Sequence, residues 1–362
     1  MPYAGRLTCA LAIVVVGTAT AAGPVHGQVN VQAVNALPNP YQTIENFFKL
    51  PAGQTIGATA GVEVDRDGSS IWVFERCGAP NRLPEPPHEQ GTCVGSKRDP
   101  ILKFDSSGRV VRSFGAGMFV YPHGMYVDRE GNVWVTDALS SPPARGVSSP
   151  APSPKPLGHQ VIKFSPEGKV LMALGKAGVA GSGRDTFNMP SDVLVAPNGD
   201  VFVADGHGGD SNARIVKFAK DGTFIKSWGK KGSARGEFDS PHSLAMDSRG
   251  RLFVGDRSNN RIQIFDQEGA FLEEWRQFGR PSGVFIDRND VLYAADSLTT
   301  ETNNHGGRRG IRIGSAKDGK VTAFIPYPAP DGIGEGLVTD AKGNLYSALT
   351  TGMAVKKYVK KP

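Results

Sequence analysis

The stretch NMPSDVLVAPNGDVFVADG at residues 188–206, continued by ARIVKFAKDGTFIKSWG at residues 213–229, contains four short segments of alternating apolar and polar residues. An Asn-Gly pair separates the first segment from the second, and an Asp-Gly pair separates the third from the fourth. Alternation with a period of two residues, interrupted by such pairs, is typical of β-strands joined by hairpin turns. The stretch therefore predicts a sheet of four short strands.

The same unit recurs along the chain. YPHGMYVDREGNVWVTD (121–137) is completed by HQVIKFSPEGKVLMALG (159–175), and DSPHSLAMDSRGRLFVGD (239–256) is completed by NRIQIFDQEGAFLEEW (260–275). Fainter copies contain GVEVDRDG, PSGVFIDRND and GEGLVTDAKG. Six units of four strands predict an all-β fold, a six-bladed β-propeller, with a solenoid of stacked sheets as the alternative.

The ends of the repeat region predict how the ring closes. The sixth unit stops after three strands, whereas IENFFKLP at residues 44–51 precedes the first unit and has the character of a fourth strand. We expect a propeller over residues 41–360 whose last blade is completed by the N-terminal strand, since closure removes an exposed edge. The Pro/Ser-rich stretch 140–156 is interpreted as a loop inserted in the second blade, with a domain linker as the alternative.

The first residues have the pattern of a secretory signal peptide. Arg6 precedes the short apolar run 7–16, and small residues follow, so we expect residues 1–27 to be a signal peptide and the mature protein to be periplasmic or secreted. An uncleaved membrane anchor is the alternative. Cys77 and Cys93 are then an even pair in an exported chain, which favours a disulfide over two free thiols.

Composition narrows the classes of partner. The 362 residues include 39% hydrophobic residues, and the formal charge is 41 − 35 = +6, with the basic residues spread along the chain apart from a C-terminal Lys cluster. This spread is weak evidence for nucleic-acid binding. We expect no nucleic-acid partner, no membrane association after signal cleavage, and a monomer that acts on a small carboxylate-bearing or peptide-derived substrate.

At one equivalent position of the innermost strands, three of the six blades carry a residue that can bind a metal. The residues there are Ala60, His123, Ser191, His242, Ser282 and Glu335. Blades two, four and six therefore carry His, His and Glu, and alternate blades of a six-bladed ring are related by a threefold rotation. Two imidazoles and one carboxylate suit a catalytic zinc ion, and the same set suits iron or manganese; polar residues lining a wet channel are the alternative.

The loops that follow the second strands add further polar candidates on the same face. Arg76 and Arg257 could bind a carboxylate, and His207 could transfer a proton, although all three could be ordinary surface residues. His159 and His305 are expected to be solvated. The second strands end in Asp137, Asp205, Asp256 and Asp296, which we expect to hold loops by hydrogen bonds.

Over roughly residues 41–359 the chain resembles the peptidyl-α-hydroxyglycine α-amidating lyase family of NHL-repeat six-bladed propellers. YPHG and SPHSLA match the motifs of the family's zinc histidines, which assigns zinc to His123 and His242. WVFERC and GDRSNNRI match the loops of the family's arginines, so the resemblance implies that Arg76 and Arg257 hold the carboxylate and hydroxyl end of a substrate.

The chain departs from the family at three positions. GEG replaces the motif of the third zinc histidine, so Glu335 must be the third ligand or the site is incomplete. DGHGGDSNARI replaces the loop of the catalytic tyrosine and places His207 at or near that role. Gly336 stands where the family has an Asp tied to a structural calcium, which puts the calcium in doubt.

Three hypotheses follow. The leading one is a metal-dependent lyase that cleaves the C–N bond of an α-hydroxyglycine-type molecule to an amide and glyoxylate, with His123, His242 and Glu335 on the metal, Arg76 and Arg257 on the anion, and His207 as the base. The others are a lactonase-like hydrolase, in which the metal activates water, and a non-catalytic propeller that binds a peptide or glycan.

Overall fold

The computed structural model describes residue 1 and residues 33–77, 92–139, 155–327 and 334–362. Apart from Met1, the predicted signal peptide lies outside the described residues. Residues 140–154 of the Pro/Ser-rich stretch also lie outside them. Residues 32–362 belong to one compact unit. Among the described residues, no helix is long and apolar enough to cross a membrane.

The described residues form six antiparallel sheets of four strands, which confirms the six-bladed β-propeller. The first three sheets consist of β2 (Thr59–Val64), β3 (Ile71–Glu75), β4 (Ile101–Phe104) and β5 (Val110–Phe114); β6 (Pro122–Val127), β7 (Val133–Asp137), β8 (Gln160–Phe164) and β9 (Val170–Leu174); and β10 (Pro190–Val195), β11 (Val201–Asp205), β12 (Arg214–Phe218) and β13 (Phe224–Trp228).

The other three sheets continue the ring. They consist of β14 (Pro241–Met246), β15 (Leu252–Asp256), β16 (Arg261–Phe265) and β17 (Phe271–Trp275); β18 (Pro281–Ile286), β19 (Val291–Asp296), β20 (Gly310–Ser315) and β21 (Val321–Pro326); and β22 (Gly334–Thr339), β23 (Leu345–Leu349), β24 (Ala354–Lys360) and β1 (Tyr41–Ile44). A 3₁₀ helix, Arg257–Asn259, follows β15.

The Asp that follows an innermost strand holds the first hairpin of its blade. In the second blade, Asp128 Oδ1 accepts hydrogen bonds from the backbone N–H groups of Glu130 and Asn132, at 3.0 and 2.8 Å. Its Oδ2 accepts a bond from the indole of Trp134 at 3.0 Å. Gly131 has φ of 85°, a conformation that glycine adopts without a steric penalty. The repeated turn motif thus fixes the hairpin and its register.

Hydrophobic clusters fill the junctions between neighbouring blades. Trp72 and Phe74 of the first blade pack with Val133 and Val135 of the second, and equivalent clusters occupy the other five junctions of the described ring. Because each blade presents apolar side chains to both of its neighbours, burial stabilises the whole ring rather than single sheets. This closed ring holds the innermost strands around a common axis.

The N-terminal strand completes the last blade, as predicted, but it lies earlier in the chain than predicted. β1 is Tyr41–Ile44, which pairs antiparallel with β24, whereas IENFFKLP was expected to form the strand. Phe47, Phe48 and Leu50 pack instead against the cluster between the first and sixth blades. The apolar character of that segment therefore comes from packing on the core rather than from strand pairing.

Candidate functional site

A β-bulge places the candidate ligands of the innermost strands. The pairing of β6 with β7 skips from Pro122 to Met125, that of β14 with β15 from Pro241 to Ser243, and that of β22 with β23 from Gly334 to Leu337. The skipped residues include His123, His242 and Glu335. Bulges re-aim side chains out of the regular alternation, and here they turn these three towards one region at one end of the axis.

The three side chains from alternate blades lie close together. His123 Nε2 is 3.8 Å from Glu335 Oε2, and His242 Nε2 is 4.0 Å from Glu335 Oε1. The ring centroids of the two histidines are 4.7 Å apart. The structure therefore brings the predicted threefold set together. Two ligands of a tetrahedral zinc ion lie about 3.4 Å apart when the metal–ligand bonds are about 2.0–2.1 Å, so small movements would suffice to bind one ion.

Backbone carbonyl groups orient the two imidazoles. His123 Nδ1 lies 2.6 Å from Ser191 O, and His242 Nδ1 lies 2.6 Å from Ser282 O. A carbonyl oxygen only accepts hydrogen bonds, so Nδ1 donates in both rings and each Nε2 presents a lone pair to the cluster. Burial lowers the pKa of His123 to about 4 and that of His242 well below its usual value. Both imidazoles are therefore neutral at neutral pH, the form that binds metals.

His207 joins this cluster from the loop between β11 and β12. Its ring centroid lies 4.6 Å from that of His123 and 5.0 Å from that of His242. The ligand nitrogens of the three histidines all lie within 4.8 Å of one another. Burial also lowers the pKa of His207 well below its usual value. The sequence predicted His207 beside the site as a base. It did not predict that His207 would lie close enough to His123 and His242 to bind the same metal ion.

The loop that carries His207 is fixed by local features. Gly206 has φ of 148°, and a Cβ there would lie 1.8 Å from Asn212 O, so only glycine fits. The backbone N–H of His207 donates to Ser211 Oγ at 2.8 Å. These contacts close the loop tightly and direct the imidazole towards the axis.

Arg76 and Arg257 flank Glu335. Arg76 Nη2 is 3.9 Å from Glu335 Oε2, and Arg257 Nη1 is 3.9 Å from Glu335 Oε1. Arg76 is 1% and Arg257 7% exposed. Burial lowers the pKa of Arg257 to about 10, which leaves it positively charged at neutral pH. Two buried cations beside one carboxylate form a region of positive charge that suits an anionic substrate group.

Further residues hold the two arginines in place. Arg76 Nε donates to Pro122 O at 3.2 Å, and its guanidinium lies 3.9 Å from the ring centroid of Tyr121. Arg257 Nη2 donates to Ser240 Oγ at 3.2 Å, while Arg280 Nη1 donates to the Arg257 carbonyl at 3.1 Å. The sequence analysis missed Tyr121 and Arg280. Tyr121 directly precedes the PHG motif, and this adjacency was the available signal.

Unpaired buried polar atoms make this cluster a candidate binding site. The Nε2 atoms of His123, His207 and His242 and Oε2 of Glu335 are buried without a hydrogen-bond partner among the described residues. Burying unpaired polar atoms is costly, so such atoms usually serve a bound group. Neutral imidazoles and a carboxylate are a donor set that fits a transition metal. The residues present therefore fit a metal ion.

A cavity of about 510 Å³ extends along the innermost strands, and His123, His242 and Glu335 are among the residues that line it. Gly336 also lines it, at the position where the resemblance implies a calcium ligand. A Cβ at residue 336 would lie 2.5 Å from Ala60 O. The backbone there is packed too closely for a side-chain ligand, so that position offers no carboxylate to calcium.

Other predicted residues serve the scaffold. Asp137 accepts hydrogen bonds from the backbone N–H groups of Val120 and Tyr121, and Asp205, Asp256 and Asp296 likewise accept bonds from the loops beside them. His305 is exposed, as expected. The prediction for His159 was wrong, because this residue is 4% exposed and its Nδ1 accepts a bond from the Met189 N–H at 3.2 Å. His159 supports the start of β10.

Comparisons with known proteins agree with this fold. The NHL repeat family model matches residues 238–265. Peptidyl-glycine alpha-amidating monooxygenase B of Xenopus laevis is 39% identical over 165 residues, and peptidyl-alpha-hydroxyglycine alpha-amidating lyase 1 of Drosophila melanogaster is 35% identical over 237 residues. A gluconolactonase structure from Xanthomonas campestris superposes with a TM-score of 0.55 at 15% identity, over 85% of this chain and 87% of that one, and this likeness shows the fold alone.

The matches to the amidating proteins are partial. They cover 43% of this chain and 16% of the frog protein, and 60% of this chain and 39% of the fly protein. The chain thus spans less than half the length of either. The repeat match, these identities and the six blades lead to one conclusion: the chain is a six-bladed β-propeller that contains an NHL repeat and is similar in sequence to peptidyl-α-hydroxyglycine α-amidating lyases.

Proposed function

We propose that the chain is an exported, monomeric, metal-dependent lyase that cleaves an N-acyl-α-hydroxyglycine or a similar small carboxylate into an amide and glyoxylate. The observation that carries this proposal is the convergence of His123, His207, His242 and Glu335 beside two buried arginines. The relatives with amidating activity in their names support this reaction class over others.

The metal that we propose is zinc, and iron or manganese would fit the same nitrogen and oxygen donors. When bound, it supplies Lewis acidity beside the substrate hydroxyl, which eases deprotonation of that hydroxyl. His123 and His242 would hold the metal whether Glu335 or His207 is the third ligand. Their Nδ1 atoms are hydrogen-bonded to carbonyl groups, and their Nε2 atoms have no hydrogen-bond partner among the described residues.

Arg76 and Arg257 would orient the substrate. Their guanidinium groups each lie 3.9 Å from a carboxylate oxygen of Glu335, so both already face a carboxylate in this structure. Guanidinium groups pair with carboxylates through two parallel hydrogen bonds, which fixes orientation as well as position. A substrate carboxylate held there would place the adjacent hydroxyl-bearing carbon near the histidines.

The reaction needs one proton transfer in each direction. A side chain at the site accepts the hydroxyl proton, the C–O bond becomes the carbonyl of glyoxylate, and the C–N bond breaks. The nitrogen leaves with the electron pair and receives the proton, which gives the amide. The sequence analysis assigned this proton transfer to His207.

Release of glyoxylate from N-benzoyl-α-hydroxyglycine by the metal-loaded protein tests the proposal directly. We expect turnover that depends on added metal, and a loss of at least about 100-fold in His242→Ala, because a donor of the site is removed. His305→Ala removes an exposed histidine and serves as the matched control, with unchanged turnover.

Metal-loaded protein that releases no glyoxylate above the uncatalysed rate would refute the lyase. If that protein instead opened a lactone, the hydrolase hypothesis would replace it. Protein that binds no metal yet binds a peptide or glycan would support the non-catalytic alternative.

A further inference from the structure

The positions of His207 and Glu335 allow roles other than those that the sequence predicted for them. His207 Nε2 is buried against the other two imidazoles, with its ring centroid 4.6 and 5.0 Å from theirs. Glu335 lies instead between the histidines and the two arginines, with oxygens 3.8 to 4.0 Å from each of these four side chains. The compact group of ligand atoms within 4.8 Å of one another is the three-histidine group.

We propose that the two residues have exchanged roles: His207, with His123 and His242, completes a three-histidine metal site, and Glu335 is the catalytic residue that carries the proton. This inference rests on the proposed metal-dependent function. It concerns only which residues of this chain hold the metal and which residue meets the substrate.

The placement of His207 supports its role as a ligand. The Nε2 of His207 is buried without a hydrogen-bond partner, and it lies among the ligand nitrogens of His123 and His242, where a metal ligand is expected. Three neutral imidazoles with one open position are an established donor set for catalytic zinc. The loop that carries His207 is closed by Gly206 and by Ser211, so the imidazole is held rather than free to swing.

The placement of Glu335 supports its role as the proton carrier. Its side chain is 10% exposed, and its carboxylate lies between the arginines that would bind the substrate carboxylate and the histidines that would hold the metal. A substrate bound between these two groups would present its hydroxyl next to Glu335. The carboxylate then accepts the hydroxyl proton as the carbonyl forms, and it returns that proton to the nitrogen as the C–N bond breaks, so atoms and charge balance.

Metal content and turnover of two variants separate the two assignments. Glu335→Gln keeps the size of the side chain and removes its ability to accept a proton, whereas His207→Ala removes an imidazole. Each purified variant would be titrated with Zn²⁺, and its Co²⁺ form would be examined by visible absorption, which reports the coordination of the metal independently of turnover. His207→Asn is the second variant in case His207→Ala fails to fold, and His305→Ala is the control.

We expect Glu335→Gln to bind one metal ion with an affinity within about threefold of the wild type, with an unchanged Co²⁺ spectrum and turnover lowered at least 100-fold. His207→Ala and His207→Asn should bind metal at least 100-fold more weakly. Loss of metal in Glu335→Gln, retention of metal in the His207 variants, or full turnover in Glu335→Gln would each overturn the exchange of roles. A wild-type protein that binds no metal would refute the proposed function itself.

Discussion

Arg257 is the residue at which the proposed substrate class is tested most sharply. It is buried, it is positively charged at neutral pH, and the Arg280 side chain holds its carbonyl. Lysine keeps the charge but cannot form two parallel hydrogen bonds to a carboxylate. We expect Arg257→Lys to lower kcat/KM for a carboxylate substrate by about 10- to 100-fold, which corresponds to about 1.5–3 kcal/mol for hydrogen bonds to a charged group.

The same variant should lose much less activity towards a substrate whose carboxylate is replaced by a neutral carboxamide. Steady-state kinetics on the two substrates measures the difference. Equal losses on both would show that Arg257 supports the fold of the site rather than the binding of an anion.

The burial of His159 should make the free energy of unfolding depend on pH, and this effect does not involve the metal site. Burial lowers its pKa to about 4 in the folded protein, below the value of 6.5 expected for an unfolded chain. The unfolded chain therefore binds the proton first, so stability falls as the pH falls from about 6.5 to about 4. A depression of this size corresponds to about 3.4 kcal/mol once the pH is below both values.

We expect His159→Gln to reduce the loss of unfolding free energy between pH 7 and pH 4.5 by about 2 kcal/mol relative to the wild type. Urea unfolding of the metal-free proteins at the two pH values measures this loss. His305→Gln removes an exposed histidine and should behave as the wild type does. An identical pH dependence in His159→Gln would contradict the account.

At the scale of single residues, the sequence predicted the positions on the innermost strands better than the positions in the loops. The register of the repeats located His123, His242 and Glu335, because identical hairpins place equivalent residues at equivalent points of the ring. It did not show that His207 would reach the other imidazoles, because that depends on the path of a loop. It also missed the burial of His159, which is set by packing against β10 rather than by local pattern.

The closing strand is the element whose sequence prediction needed correction. IENFFKLP has the character of a strand, but core packing and strand pairing both favour apolar residues. β1 shows a buried residue at Tyr41, followed by exposed Gln42, Thr43 and Ile44, and such an edge strand has little apolar signal. The pairing with β24 could be recognised only once the ring was built.

Tyr41 should contribute most of the stability that this strand provides. It is 3% exposed and packs in the cluster between the fifth and sixth blades. We expect Tyr41→Ala to lower the free energy of unfolding by about 3 kcal/mol, through lost burial and the cavity left behind. Urea denaturation measures the change, and Gln42→Ala, in the exposed part of the same strand, should change stability by less than about 0.5 kcal/mol. Similar values for both would contradict closure through Tyr41.

The connection after β3 carries the disulfide, which confirms the pairing expected from the cysteine count. Cys77 and Cys93 are joined across a sequence separation of 16, and Cys77 directly follows Arg76. A cross-link over a loop of this length stabilises a protein by about 3 kcal/mol in the chain-entropy account. The double variant Cys77→Ser with Cys93→Ser should lower the urea midpoint accordingly, whereas unchanged stability would show that the bond does not constrain the unfolded chain.

At the scale of the whole molecule, the fold could be predicted from the sequence because each blade repeats the same hairpins and each junction repeats the same burial. The site could be predicted only in part, because it is assembled from blades one, two, three, four and six, and the path of the His207 loop follows no repeat. The ring is therefore the scaffold that brings residues from distant parts of the sequence together. The proposed chemistry depends on how their side chains are placed at one end of the axis.

Anomalous X-ray scattering at the zinc absorption edge, on crystals of the zinc-loaded wild-type protein, would locate the proposed metal ion. The account predicts one strong peak on the axis, about 2.0–2.1 Å from Nε2 of both His123 and His242. A peak elsewhere, or no peak between these two imidazoles in crystals that contain zinc, would contradict a metal centre at this end of the propeller.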